Sequence, residues 1–198
     1  MRLYVVRHGE SEADILNVHE GRADFPLTEK GQAQAGKMAA ALAAEASISR
    51  IYCSTLTRAR QTAAYLAEKT GAPLTPMDEL REFDNGLLAG LPYDEAKRLY
   101  PDVPDLPAHA AVYGQESALA FRFRLENALS RILSENEKDA TVAIVSHGGA
   151  IVQLYRAFLG LPVIAPVVFA TGDTGVHCWE WDGKNKRVLF ANRLSHLG

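Results

Sequence analysis

With 198 residues, 47% of them apolar and 23% charged, the chain has the makeup of an ordinary globular protein, long enough to bury a substantial core in one domain over residues 1–198. Its net charge of −3 argues against a surface built to hold nucleic acid or an acidic membrane, so any anion site must be a local cluster of cations. Cys53 and Cys178 lack zinc or redox spacing and read as buried thiols, no apolar run approaches a membrane span, and the absence of a leader-like start points to the cytoplasm.

Residues 2–6 read as a short apolar strand, followed by a polar, acidic loop that reaches Leu27. Thr28 is placed to cap a helix over 29–45, in which Ala33, Met38, Ala41 and Leu42 fall near helical spacing. A strand over 50–53 leads to a helix over 56–70, stopped by Gly71, and then to an extended piece over 73–76. The Gly- and Pro-rich stretch 83–114 holds one short helix, 93–99, and otherwise reads as a cover. A long amphipathic helix over 116–136 precedes the apolar run 141–146, of the kind buried on both faces of a parallel sheet. Gly148-Gly149 opens a helix over 149–159, and runs at 176–181 and 188–191 flank an Asp182-Gly183 turn as a hairpin or sheet edge. Strands alternating with helices predict an α/β fold. The expected form is a three-layer α/β/α sandwich with a mostly parallel central sheet, an antiparallel edge strand near the C-terminus, and 83–114 as a small covering insertion. That edge leaves room for a homodimer.

Two apolar strands end in the same dipeptide: Val5-Val6-Arg7-His8-Gly9 and Ile144-Val145-Ser146-His147-Gly148-Gly149. Ligands of open α/β sheets bind beyond the carboxyl ends of the strands. Glycine after each histidine permits a sharp turn and lets a ligand approach the backbone amide. A single histidine at a strand end is usually structural. Two at equivalent ends, one preceded by arginine, make a joint signal that His109, His177 and His196 lack, and His19 is a rim residue at most. Arg58 opens the helix over 56–70, where a cation opposes the helix dipole, a placement that suggests use against an anion. Arg60, two residues on, faces elsewhere. Glu82, in Leu80-Arg81-Glu82-Phe83, is not singled out by pattern alone.

Taken together, the segments resemble the histidine phosphatase superfamily, which includes the cofactor-dependent phosphoglycerate mutases. The resemblance runs in order through Arg7-His8-Gly9-Glu10-Ser11, residues 21–31, 54–63, Leu80-Arg81-Glu82, Val145-Ser146-His147-Gly148-Gly149 and 192–197. It implies that His8 is the nucleophile that becomes phosphorylated, that Arg7, Arg58 and His147 hold the phosphoryl group, and that Glu82 is the general acid and base. Ser11, Asn17 and Gly148 are the further expected substrate contacts. Such a site needs neither metal nor cofactor, because fixed guanidinium and imidazole groups meet the charge that develops on the phosphoryl oxygens. The expected substrate is a small phosphorylated metabolite.

Mutases resembling this family carry Glu-Arg-His-Tyr-Gly around the acid, whereas this chain has Glu82-Phe83-Asp84-Asn85-Gly86 and a short interval before His147. A mutase must retain its intermediate and exclude water, so the loss of those elements favours hydrolysis. A mutase or a non-catalytic phosphate-binding module are the alternatives. A second departure is Asp14, where many relatives place asparagine. A carboxylate about 4 Å from a phosphate costs on the order of 4 kcal/mol at an effective dielectric of 20. Asp14 is therefore expected to turn away, pair with an arginine such as Arg22, or be protonated, with Asn17 as a substitute donor.

Overall fold

The computed structural model describes residues 1–198. In chain order the elements are β1 (Arg2–Arg7), α1 (Glu12–Leu16), α2 (Glu29–Glu45), β2 (Arg50–Ser54), α3 (Thr57–Thr70), β3 (Leu74–Met77), α4 (Tyr93–Leu99), α5 (Ala118–Glu135), β4 (Thr141–Ser146), α6 (Gly148–Leu159), β5 (Val176–Trp181) and β6 (Lys186–Arg193). The strands form one sheet in the order β3-β2-β4-β1-β5-β6. The first four are mutually parallel, β5 runs antiparallel to β1, and β6 runs antiparallel to β5. The expected antiparallel edge is thus a two-stranded hairpin.

Alternation along the central strands builds the two helical layers. Leu3 and Val5 of β1 and Val142 and Ile144 of β4 enter one core, with Phe121, Leu125, Leu129 and Ile132 of α5 and Leu154 and Phe158 of α6. Their neighbours Tyr4, Val6, Ala143 and Val145 face the opposite way, against Met38 and Leu42 of α2 and Ala63 and Leu66 of α3. Side chains on a strand point to alternate faces. A strand covered by helices on both faces therefore has no polar side, which is why these segments read as unbroken apolar runs. Thr28 and Ser117 cap α2 and α5 by accepting from Gly31 N–H (2.9 Å) and Ala120 N–H (3.1 Å). Both cysteines are free and buried, and desolvation pushes each thiol up to about 11. No helix is long and apolar enough to cross a membrane.

One element was not expected. Helix α1 lies inside the predicted polar loop, a single turn too short to show a 3.6-residue pattern. It is held by a capping box in which Asp14 accepts from the Ser11 backbone N–H.

Placing β4 between β2 and β1 brings three strand ends side by side. Arg7 pairs in register with Ser146, and Cys53 with Val145, so Ser54, Ser146 and Arg7 finish at one edge of the sheet.

Candidate active site

Just beyond that edge the rings of His8 and His147 lie 5.0 Å apart, both buried. His8 N–H donates to the Ser146 carbonyl (3.0 Å), which holds the turn after β1 against the end of β4. Nδ1 of His8 is 2.8 Å from the Gly9 carbonyl, an acceptor, so Nδ1 carries the proton and Nε2 keeps its lone pair. Burial pushes His8 well below the usual imidazole range, with Arg58 and Arg7 adding to it, and the ring is neutral at pH 7. His147 is lowered in the same way by burial, then by Arg58 and His8. Its Nε2 lies 2.7 Å from Ser54 Oγ, which accepts from Leu56 N–H (3.2 Å), while its Nδ1 is buried without a protein partner.

Arg58 is fully buried at the start of α3. Its Nε donates to His8 Nε2 (3.3 Å), and its two Nη groups donate to the carbonyls of Ala23 (3.0 Å) and Gly21 (2.8 Å). The guanidinium is thus held by backbone on one side and aimed at His8 Nε2 on the other. Arg7 is anchored by residues 171–175, donating to the Thr171 carbonyl (3.1 Å) and lying 3.4 Å from Asp173. Its Nε is buried without a partner. Thr174 N–H donates to the His8 carbonyl (3.1 Å), and the buried His177 reaches Thr171 Oγ1 (3.0 Å), so the segment before β5 supports both Arg7 and His8. Sequence reasoning missed this role; the signal was Thr171-Gly172-Asp173-Thr174-Gly175, a polar, glycine-bearing turn leading into an apolar strand.

Glu82 docks on the first turn of α6. Its Oε2 accepts from Gly149 N–H (2.8 Å) and its Oε1 from Phe83 N–H (2.7 Å), which sets the carboxylate beside His147 and Gly148. A Cβ on Gly149 would lie 2.6 Å from Glu82 Oε1, so this approach requires glycine. Arg124 of α5 secures the Glu82 segment by donating to the carbonyls of Glu79 (2.8 Å), Arg81 (2.6 Å) and Glu82 (2.8 Å) while paired with Glu116 (2.6 Å). Ser146 Oγ ties the same segment to β4 through the Leu80 carbonyl (2.7 Å).

Residues 26–31 form a scaffold for the His8 turn. Thr28 donates to Glu10 (2.8 Å), Leu27 N–H donates to Gln61 (2.8 Å), and Gly9 and Gly31 meet backbone to backbone. A Cβ on Gly31 would stand 2.0 Å from the Glu10 carbonyl oxygen.

Ser11 is buried, and its hydroxyl bonds Asp14 (3.2 Å) and Glu20. Asp14 is turned to its own helix cap, and Arg22 pairs instead with Asp84 (2.9 Å) and Glu116 (3.5 Å). Asn17 closes α1 in the left-handed conformation (φ 53°), and its carbonyl accepts from Tyr93 N–H (3.3 Å). Its side chain is exposed, outside the hydrogen-bonded cluster. Gly148 begins α6, whose N-terminus faces the site with the partial positive charge of a helix start. The residue that sequence reasoning did not find is Glu20. It lies 3.3 Å from Arg58 Nε and 3.7 Å from His8 Nε2.

The Asp14→Asn exchange keeps an oxygen to accept from Ser11 N–H. It is expected to leave vanadate affinity within about threefold of wild type, since Asp14 is engaged in the cap of α1 by Ser11 N–H (2.8 Å). Competitive inhibition measures this, and a tightening of about tenfold, some 1.4 kcal/mol, would contradict it.

Two neutral imidazoles, two anchored guanidiniums and a carboxylate at the carboxyl edge of the parallel strands are the groups that phosphoryl transfer calls for. Residues 3–193 match the model of the histidine phosphatase superfamily (branch 1), and the chain belongs to that family. It is 35% identical over 98% of its length, and 86% of the relative's, to phosphoglycerate mutase-like protein 4 of Arabidopsis thaliana. It is 34% identical to the adenosylcobalamin/alpha-ribazole phosphatase of Salmonella typhi, over 82% of this chain and 81% of that one. Among solved structures, a putative alpha-ribazole-5'-P phosphatase from Escherichia coli superposes with a TM-score of 0.89 at 27% identity, covering 98% of this chain and 97% of that one. The activity class is phosphomonoester hydrolase.

Proposed function

We propose that the protein hydrolyses small phosphorylated metabolites in the cytoplasm through a phosphohistidine on His8. The observation that carries this reading is the setting of His8 Nε2: unprotonated, because Nδ1 is held by Gly9, and faced by the guanidinium of Arg58 at 3.3 Å. In the first step the Nε2 lone pair forms a bond to phosphorus as the ester P–O bond breaks. Glu82 gives its proton to the leaving alkoxide. Arg7, Arg58, His147 through Nδ1, and the amide end of α6 at Gly148 meet the charge on the phosphoryl oxygens. In the second step water attacks phosphorus, its proton passes to the Glu82 carboxylate, and the P–N bond breaks to release phosphate. Ser11 acts on this site through Glu20, and Asn17 serves the helix end beside it.

The whole chain acts as one domain, with 83–114 covering the leaving group. Leu87 and Tyr93 of that cover are exposed, and Tyr93 packs edge-on against His19 (4.6 Å), next to Glu20, which supports a leaving group with an apolar part. The outer edge of β6 is the face on which a second copy would pair.

A panel of phosphomonoesters in excess chelator tests the reading. Phosphate and free alcohol should appear in equal amounts, and phosphoglycerate should lose phosphate without exchange between its two positions. Exchange without release would assign a mutase, and turnover only with added metal would remove the mechanism.

A further inference from the structure

A carboxylate already stands against the groups that face a phosphoryl group. Glu20 Oε1 lies 3.3 Å from Arg58 Nε, Oε2 lies 3.7 Å from His8 Nε2, and Ser11 Oγ donates to Oε1. The oxygens of a phosphoryl group on Nε2 belong in this same shell. We propose that Glu20 is a residue of the phosphoryl site, holding the place of an oxyanion in the free enzyme, and that an anion enters together with one proton bound by Glu20. The inference rests on the phosphoryl-site reading above and deepens it.

The charges leave little alternative. Arg58 from α3, His8 and Arg7 from the end of β1, and Ser11 and Asp14 from α1 are the charged and titratable groups or hydroxyls that face Glu20. Both histidines are neutral, so an ionised Glu20 already neutralises Arg58. A dianion arriving beside it would set two anions against Arg58, with Arg7, itself paired with Asp173 (3.4 Å), the one further cation. Nor does the loop itself carry Glu20 away. The backbone on either side is pinned by His19 N–H to the Leu91 carbonyl (2.9 Å), Ala23 N–H to the Glu20 carbonyl (2.7 Å) and Arg58 to the Gly21 carbonyl. A protonated Glu20 keeps its place and turns from competitor into donor, its O–H directed at a phosphoryl oxygen. Burial already pushes the Glu20 pKa up, with Asp14 adding to the rise, while Arg58 and Ser11 hold it back. A bound anion raises it further.

The sign follows. A site that binds an anion with a proton loses affinity as pH rises through the Glu20 pKa of the free enzyme, by up to about tenfold per pH unit. Sulfate is the probe, because it stays a dianion from about pH 5 to 8 and is not turned over. Calorimetric titration in two buffers of different ionisation enthalpy should show uptake of about one proton per sulfate by wild type. Glu20→Gln should take up none, bind sulfate about tenfold or more tightly at pH 8, and show a flat pH profile. Glu20→Ala should also be flat, and thermal melts check that both variants fold. Equal proton uptake by wild type and Glu20→Gln, no uptake by wild type, or weaker binding by Glu20→Gln would each overturn the proposal. Failure of sulfate to bind either protein would instead overturn the phosphoryl-site reading on which it rests.

Discussion

His8→Ala is expected to lower phosphate release by on the order of 10⁴-fold or more, in chelator and with every substrate of the panel. No neighbouring group can take over. Ser54 Oγ is engaged by His147 and by Leu56 N–H, and Ser11 Oγ is engaged by Asp14 and Glu20. Arg58 and His147 would still bind phosphate, so vanadate inhibition of any residual activity should persist while turnover is lost. Quenched with base during turnover of a labelled substrate, wild type should carry one acid-labile phosphoryl group, and His8→Ala none. Residual activity above about a hundredth of wild type would remove His8 from the nucleophile's role.

Glu82→Gln should separate leaving groups. General acid catalysis contributes about 10² to 10⁴ where an alkoxide must leave, and little where the leaving group is already a weak base. With an alkyl phosphate, kcat/KM should fall by about that range. With p-nitrophenyl phosphate the first step should be nearly intact, so labelled phosphohistidine should accumulate because the base for water attack is missing. The Gln side chain retains an oxygen for Gly149 N–H, so the docking on α6 survives the exchange. An equal loss on both substrates would falsify the assignment of Glu82 as the proton donor.

Much of this was legible in the chain. The spans 29–45, 93–99 and 141–146 coincide with α2, α4 and β4, because caps and apolar periodicity are local signals. The shared His-Gly ending of two strands anticipated that His8 and His147 meet, since parallel neighbours in register finish at the same edge. Helix α1 was missed because a single capped turn has no periodicity. The segment 171–175 was missed because most of its support for Arg7 and His8 comes from backbone groups, the Thr171 carbonyl and the Thr174 amide, which carry no residue identity, with Asp173 the side chain that faces Arg7.

Carboxylates show the division most clearly. Asp14 and Glu20 both fall in the polar loop that the sequence indicates, where only Asp14 stands out, as a departure from the asparagine of many relatives. In the folded protein Asp14 bonds the Ser11 amide three residues away, while Glu20 reaches Arg58 and His8. Sequence by itself determined the layered α/β/α architecture and the strand ends that meet, and it nominated His8, Arg58 and His147 as site candidates, with Glu82 added by the family resemblance. The architecture and the meeting strand ends are set by side-chain period and by chain order. Only the tertiary structure decided which carboxylate faces His8 and which caps a helix. That choice is a competition among hydrogen-bond donors and burial, and the rivals, Arg58 on α3 and the amide of Ser11, become comparable only when the chain has brought them within a few ångströms of each other.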